Sequence, residues 1–132
     1  MSRMSANADF DFRKSVAYDT GAKSLFHTFA RCQLRKLAIA LRLPPHAYDL
    51  RSNKAGIAVS GEVILHADHL YVQVSQPFGG FDSGILFRTC NGRKDYVGGP
   101  NNLASLDLLH MPQELAFRIQ VACHFCRPLN SQ

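Results

Sequence analysis

Between Ala22 and Leu43 the apolar positions recur three and four residues apart: Phe26, Phe29, Ala30, Leu34, Leu37, Ala38 and Leu41 line one stripe. That period predicts an amphipathic helix with its stripe turned to a core. Thr20 or Ser24 is placed to cap it. Pro44-Pro45 stop it, because the residue before a proline is pushed out of the helical region. His46 to Lys54 read as a polar connection. The period then changes to two. Ile57, Val59, Val63 and Leu65 alternate with smaller or polar residues, with Gly61 at a bend, and Leu70, Val72 and Val74 alternate with Tyr71, Gln73 and Ser75. A tight turn at Ala67-Asp68 makes Glu62–His66 and His69–Ser75 a hairpin. The glycine-rich stretch Pro77–Gly84 leads to a third strand, Ile85–Cys90.

Helical spacing returns after Asn102. Leu103, Leu106 and Leu109 predict a short helix capped by Asn102. Pro112 suits the first turn of another, running to about Phe125, with Glu114 near its positive end and Leu115, Ile119, Ala122 and Cys126 facing inward. Helix, three strands, helices is the order of an α+β domain: an N-terminal helix, a three-stranded antiparallel sheet, and C-terminal helices packed on one face. Residues 1–19 form an N-terminal arm that Phe10, Phe12 and Tyr18 pin to the core, and residues 20–132 form the single domain.

Composition narrows the class. Of 132 residues 46% are hydrophobic and only 19% charged, which excludes a disordered chain. The densest apolar run, Leu37–Leu41, is broken by Arg42 and the prolines, so no membrane span is expected. Asp9, Asp11, Arg13 and Lys14 interrupt the stretch where a secretory segment would need apolar residues. The expectation is a cytoplasmic protein. Cys123-x-x-Cys126 has no second pair to complete a zinc site, so these cysteines, with Cys32 and Cys90, read as core thiols. No metal and no cofactor is assigned.

The charge layout carries the functional reading. From Thr20 to Leu43 stand Lys23, Arg31, Arg35, Lys36 and Arg42 and no acid, so this segment alone accounts for the net charge of +5. A cationic ridge on a helix suits a nucleic-acid backbone or an acidic protein surface. The loop after the third strand, from Asn91-Gly92-Arg93-Lys94 to Gly98-Gly99-Pro100-Asn101-Asn102, offers glycine amides and cations suited to an anion. It carries neither a Walker lysine nor a dinucleotide fingerprint. The expected contact surface therefore joins Lys23, Arg31, Arg35 and Arg42 on the helix to Arg88, Arg93, Lys94, Asn101 and Asn102. Its partner would be a nucleic acid or an acidic protein, bound without catalysis. The rival is a small enzyme, or a phosphate or metal binder, using that loop with the turn His66-Ala67-Asp68-His69. No serine or cysteine lies in a recognised nucleophile context, so no catalytic residue is assigned. A sheet with open edges also admits a homodimer.

Overall fold

The computed structural model describes residues 10–17, 19–55, 60–76 and 83–123. Helix α1 (Thr20–Ala40) is capped by Asp19, whose carboxylate accepts from the Ala22 N–H at 3.0 Å. The cap is therefore one residue earlier than Thr20, at a side chain better suited to accept from the first turn. The helix closes before Leu43 because Arg42 turns left-handed at φ 64°, and the Arg42 and Leu43 N–H groups return to the carbonyls of Ile39 and Ala38. This is the Schellman arrangement, usually given to glycine. Phe26, Ala30, Leu34, Leu37 and Ala38 are fully buried, as their spacing requires.

The sheet has five antiparallel strands rather than three, in the sequential order β1 (Tyr48–Asn53), β2 (Glu62–Ala67), β3 (Leu70–Val74), β4 (Ile85–Thr89) and β5 (Asn102–Ala104). Both added strands are at the edges. In β1, where a polar connection is expected, Tyr48 and Leu50 pack against the core while Asp49, Arg51 and Asn53 alternate with them. An edge strand covered on one side needs only that much apolar content. In β5 the residues expected to begin a helix are extended, and Asn102 pairs with Phe87 instead of capping. The helical spacing resumes as a 3-10 turn, Leu106–His110, whose cap is Ser105 accepting from the Asp107 N–H at 3.1 Å. The β2–β3 hairpin forms as expected with its turn one residue later, at Asp68-His69. Ile57, Val59, most of the 77–84 loop, Tyr18, Phe125 and Cys126 lie outside the described residues.

Helix α2 (Pro112–Cys123) packs beside α1; α1 also lies against β2 and α2 against β4. Their buried residues join Val63, Leu65, Val72, Val74, Ile85 and Phe87 in one core. The described arm residues enter the same core through Phe12 and Val16. Gln76 holds the arm backbone, its amide nitrogen donating to the Phe12 and Lys14 carbonyls (3.0 and 2.6 Å) and its amide oxygen accepting from the Val16 N–H at 3.2 Å. Among the described residues no helix is long and apolar enough to cross a membrane.

Candidate functional site

The cationic flank of α1 meets the end of β1. Lys23 Nζ donates to the Lys54 carbonyl, Lys54 Nζ to Ser24 Oγ at 3.4 Å, and an Arg31 guanidinium nitrogen to Ser52 Oγ at 3.3 Å. Between them His27 is buried, its Nε2 2.7 Å from the Ser60 carbonyl. Since a carbonyl only accepts, the hydrogen is on Nε2. Burial lowers the His27 pKa first of all; the Ser60 bond raises it, and the charges of Lys54, Lys23 and Arg31 lower it further. Gly61 permits this approach: at φ 70° its Cα passes the Asn53 carbonyl and the His27 ring so closely that a Cβ would overlap the β1 backbone. Arg35, one helical turn beyond Arg31, is exposed, as is Arg42 past the helix end. Lys54 is missing from the expected contact surface because a polar connection does not announce a strand beside the helix; the short Tyr-x-Leu-x-Ser alternation of residues 48–52 is the trace that β1 leaves in the sequence.

The loop over residues 91–99 serves the sheet instead. On the sheet face opposite the helices, the register aligns Asp49, His66, Tyr71 and Arg88 in one row across β1 to β4. The loop folds over that row. Tyr96 packs edge-on to His66 with ring centroids 5.3 Å apart. The Gly92 carbonyl accepts from His66 Nε2 at 3.1 Å, leaving Nδ1 to accept from Arg51 at 3.3 Å. Arg88 is buried, its guanidinium 3.9 Å from the Tyr71 ring centroid and donating to the Tyr96 carbonyl at 2.7 Å. Arg93 bonds the His46 carbonyl and pairs with Asp68 at 3.1 Å and Asp49 at 3.4 Å, so its charge is already neutralised.

The amides that suggested a phosphate cradle are taken as well. Asp95 accepts from the N–H groups of Asn91, Val97 and Gly98 at 2.9, 3.0 and 3.0 Å. These bonds hold its carboxyl below the ordinary range. The Gly92 N–H goes to the Asp68 carbonyl and the Gly99 N–H to that of Thr89. The loop thus carries its own anion. In the His66–His69 turn, His66 has both ring nitrogens engaged and Asp68 is held by Arg93. Among the described residues no group of three His, Cys, Asp or Glu side chains is placed to hold a metal ion. Cys90 is a buried thiol pushed up in pKa chiefly by desolvation, the opposite of an activated nucleophile.

The structure therefore brings together Lys23, Arg31 and the added Lys54, with Arg35 on the same flank, and sets the loop residues elsewhere. Arg93 lies where β1 begins, near Asp49 and Asp68, whereas Lys54 follows its last residue, Asn53. The five steps of β1 separate those ends by about 17 Å. Asn102, in β5 at the far edge, spends its side-chain amide on the Phe87 and Pro100 carbonyls (3.3 and 3.4 Å). Lys94 and Asn101 are exposed on the loop. No protein-family model, curated protein or solved structure matches the chain.

The two buried histidines should make stability depend on pH. His66, like His27, is lowered first by burial, then by Arg51; Gly92 and Asp49 raise it and Arg88 lowers it. An unfolded histidine titrates near 6.5, so below that value the unfolded chain binds more protons than the folded one. Stability then rises with pH. It is complete above about pH 6.5 and is lost as pH falls through the lower folded-state values of both residues. The urea midpoint should fall between about pH 7.5 and pH 5, and His66→Gln should flatten that fall. A midpoint level across this range in the native chain would contradict the assignment.

Proposed function

We propose that this chain is a small basic binding or regulatory protein that recognises an anionic partner, a nucleic acid or an acidic protein surface, along the seam of Lys23, Arg31, Arg35 and Lys54. The observation that carries the reading is the gathering of Lys23, Arg31 and Lys54 at the end of β1 beside the buried His27. Their side-chain hydrogen bonds go to neutral oxygens. Among the described residues no carboxylate pairs with any of them, in contrast to Arg93. Like charges gathered in this way repel one another, and an arriving anion relieves that repulsion.

Binding of duplex DNA, single-stranded RNA and an acidic protein, measured across a salt series, tests the proposal. If each of the four cations covers one phosphate of a duplex, log K against log salt should fall with a slope of about −3 to −4. Lys23→Glu with Arg31→Glu should weaken binding by more than about tenfold, whereas Lys94→Glu should leave it nearly unchanged. If none of the three partners binds at low salt, the reading is wrong.

A further inference from the structure

We propose that the outer edge of β1, which pairs with no strand among the described residues, receives an extended acidic segment of a partner polypeptide as a sixth strand of the sheet. This rests on the anionic-partner reading and names the partner's form. The argument begins with the phase of the hydrogen-bond ladder. Ser75 N–H bonds the Gly84 carbonyl at 3.0 Å and Cys90 N–H bonds that of His69 at 3.1 Å, so these opposed residues are hydrogen-bonded pairs. Antiparallel pairing alternates bonded and non-bonded pairs. Carried through the register, Tyr71 and Gln73 bond β4, Val63 and Leu65 bond β3, and His66 and Ile64 bond Asp49 and Arg51. The N–H and C=O groups of Tyr48, Leu50 and Ser52 therefore point away from the sheet. Among the described residues no backbone bond engages them.

The same phase at the other edge turns only Leu103 of β5 outward, on a strand of three residues with Pro100 just before it. The β1 edge is twice as long and has no proline. A strand added there would point alternate side chains toward the flank of α1, where Arg31 already reaches Ser52 and Arg35 follows one turn later. Carboxylates at those positions match the cations. A nucleic acid meets the charge but cannot continue a peptide ladder. A second copy continues the ladder but, across a two-fold axis at that edge, sets a second basic flank of α1 beside the first instead of an acidic one.

The test uses the full chain and a labelled octapeptide alternating glutamate and valine, compared with the same peptide N-methylated at alternate backbone amides and with a duplex DNA oligonucleotide. Ser52→Pro removes an outward N–H that the β1–β2 ladder does not use. The acidic octapeptide should bind at low salt, protecting the amides of Leu50 and Ser52 from exchange. N-methylation should weaken it by about tenfold or more, and so should Ser52→Pro relative to Ser52→Ala, which loses the same bond to Arg31 but keeps the N–H; DNA affinity should be equal in those two variants. Should the variant not fold, the N-methylated peptide on the native chain decides. Equal binding of both peptides, or binding of DNA alone, overturns strand addition and leaves the anionic reading in place. If neither DNA nor peptide binds, strand addition fails; if the RNA and the acidic protein do not bind either, the anionic reading fails with it. A native dimer that Ser52→Pro converts to monomer assigns the edge to a second copy and overturns the acidic partner.

Discussion

Phe12→Ala is expected to remove about 3–5 kcal/mol of unfolding free energy, the range for emptying a large aromatic site in a core. Phe12 lies well before the first helix but is only 2% exposed. Its ring meets Phe10, Phe26 and His110 at centroid distances of 4.9, 5.9 and 5.0 Å. Phe26 belongs to α1 and His110 to the 3-10 turn before α2, so the ring fills the space where arm, helix and turn converge. The flanking backbone is held by Gln76 and by His110, whose Nε2 donates to the Phe10 carbonyl at 2.7 Å. Little relaxation is therefore available to close the void. Urea titration reads the effect, with an unchanged slope confirming that the same surface unfolds. Arg13→Ala serves as a control: its contact with Asp107 spans two half-exposed side chains, and such pairs contribute about 0–1 kcal/mol. A loss at Phe12 below about 0.5 kcal/mol is the size of a surface change and would mean that the arm is not part of the core.

Arg88→Ala is expected to cost about 2–4 kcal/mol, combining lost packing with a carbonyl left without its donor. The guanidinium is the plate between Tyr71 and the loop, and its bond to the Tyr96 carbonyl holds that loop down. Gly98 shows how close the fit is. At φ 61° a Cβ there would overlap the Thr89 carbonyl and come within 2.7 Å of Arg88 Nε. Arg88→Lys should recover only part of the loss, since an ammonium neither stacks as a plane nor reaches two ways. Arg88→Met keeps most of the volume and removes the buried Nε that has no partner, so it should be the mildest of the three. Denaturation midpoints rank the series. An Arg88→Ala protein with an unchanged midpoint but weakened anion binding is the contrary outcome, and would return Arg88 to the recognition surface.

The two candidate regions of the chain diverged for a physical reason. The α1 cations keep their charge because the stripe of Phe26, Ala30, Leu34 and Leu37 turns the basic flank outward, and a helix with no acid supplies no internal partner. Arg93 looks equally available in sequence. Its partners, Asp49 and Asp68, stand 44 and 25 residues away and meet it only when the loop crosses the sheet. Asp95, which no local spacing marks out, is the acceptor that closes the loop on itself.

Local periodicity was enough for α1, the β2–β3 hairpin, β4 and α2, because each buries one continuous face whose spacing is written in its own residues. The sequence by itself also determined the α+β class and the excess of cations on the first helix. It did not show β1 or β5: an edge strand draws half its order from a neighbour's ladder, and three to six residues half-covered by core hold too little apolar pattern to announce it. Which cations lack a carboxylate partner and which sheet edge lacks a neighbour among the described residues, and that His66 lies beneath a loop, were decided only by the tertiary structure. Charge neutralisation and ladder phase depend on groups brought together from distant parts of the chain, and no local spacing encodes those meetings.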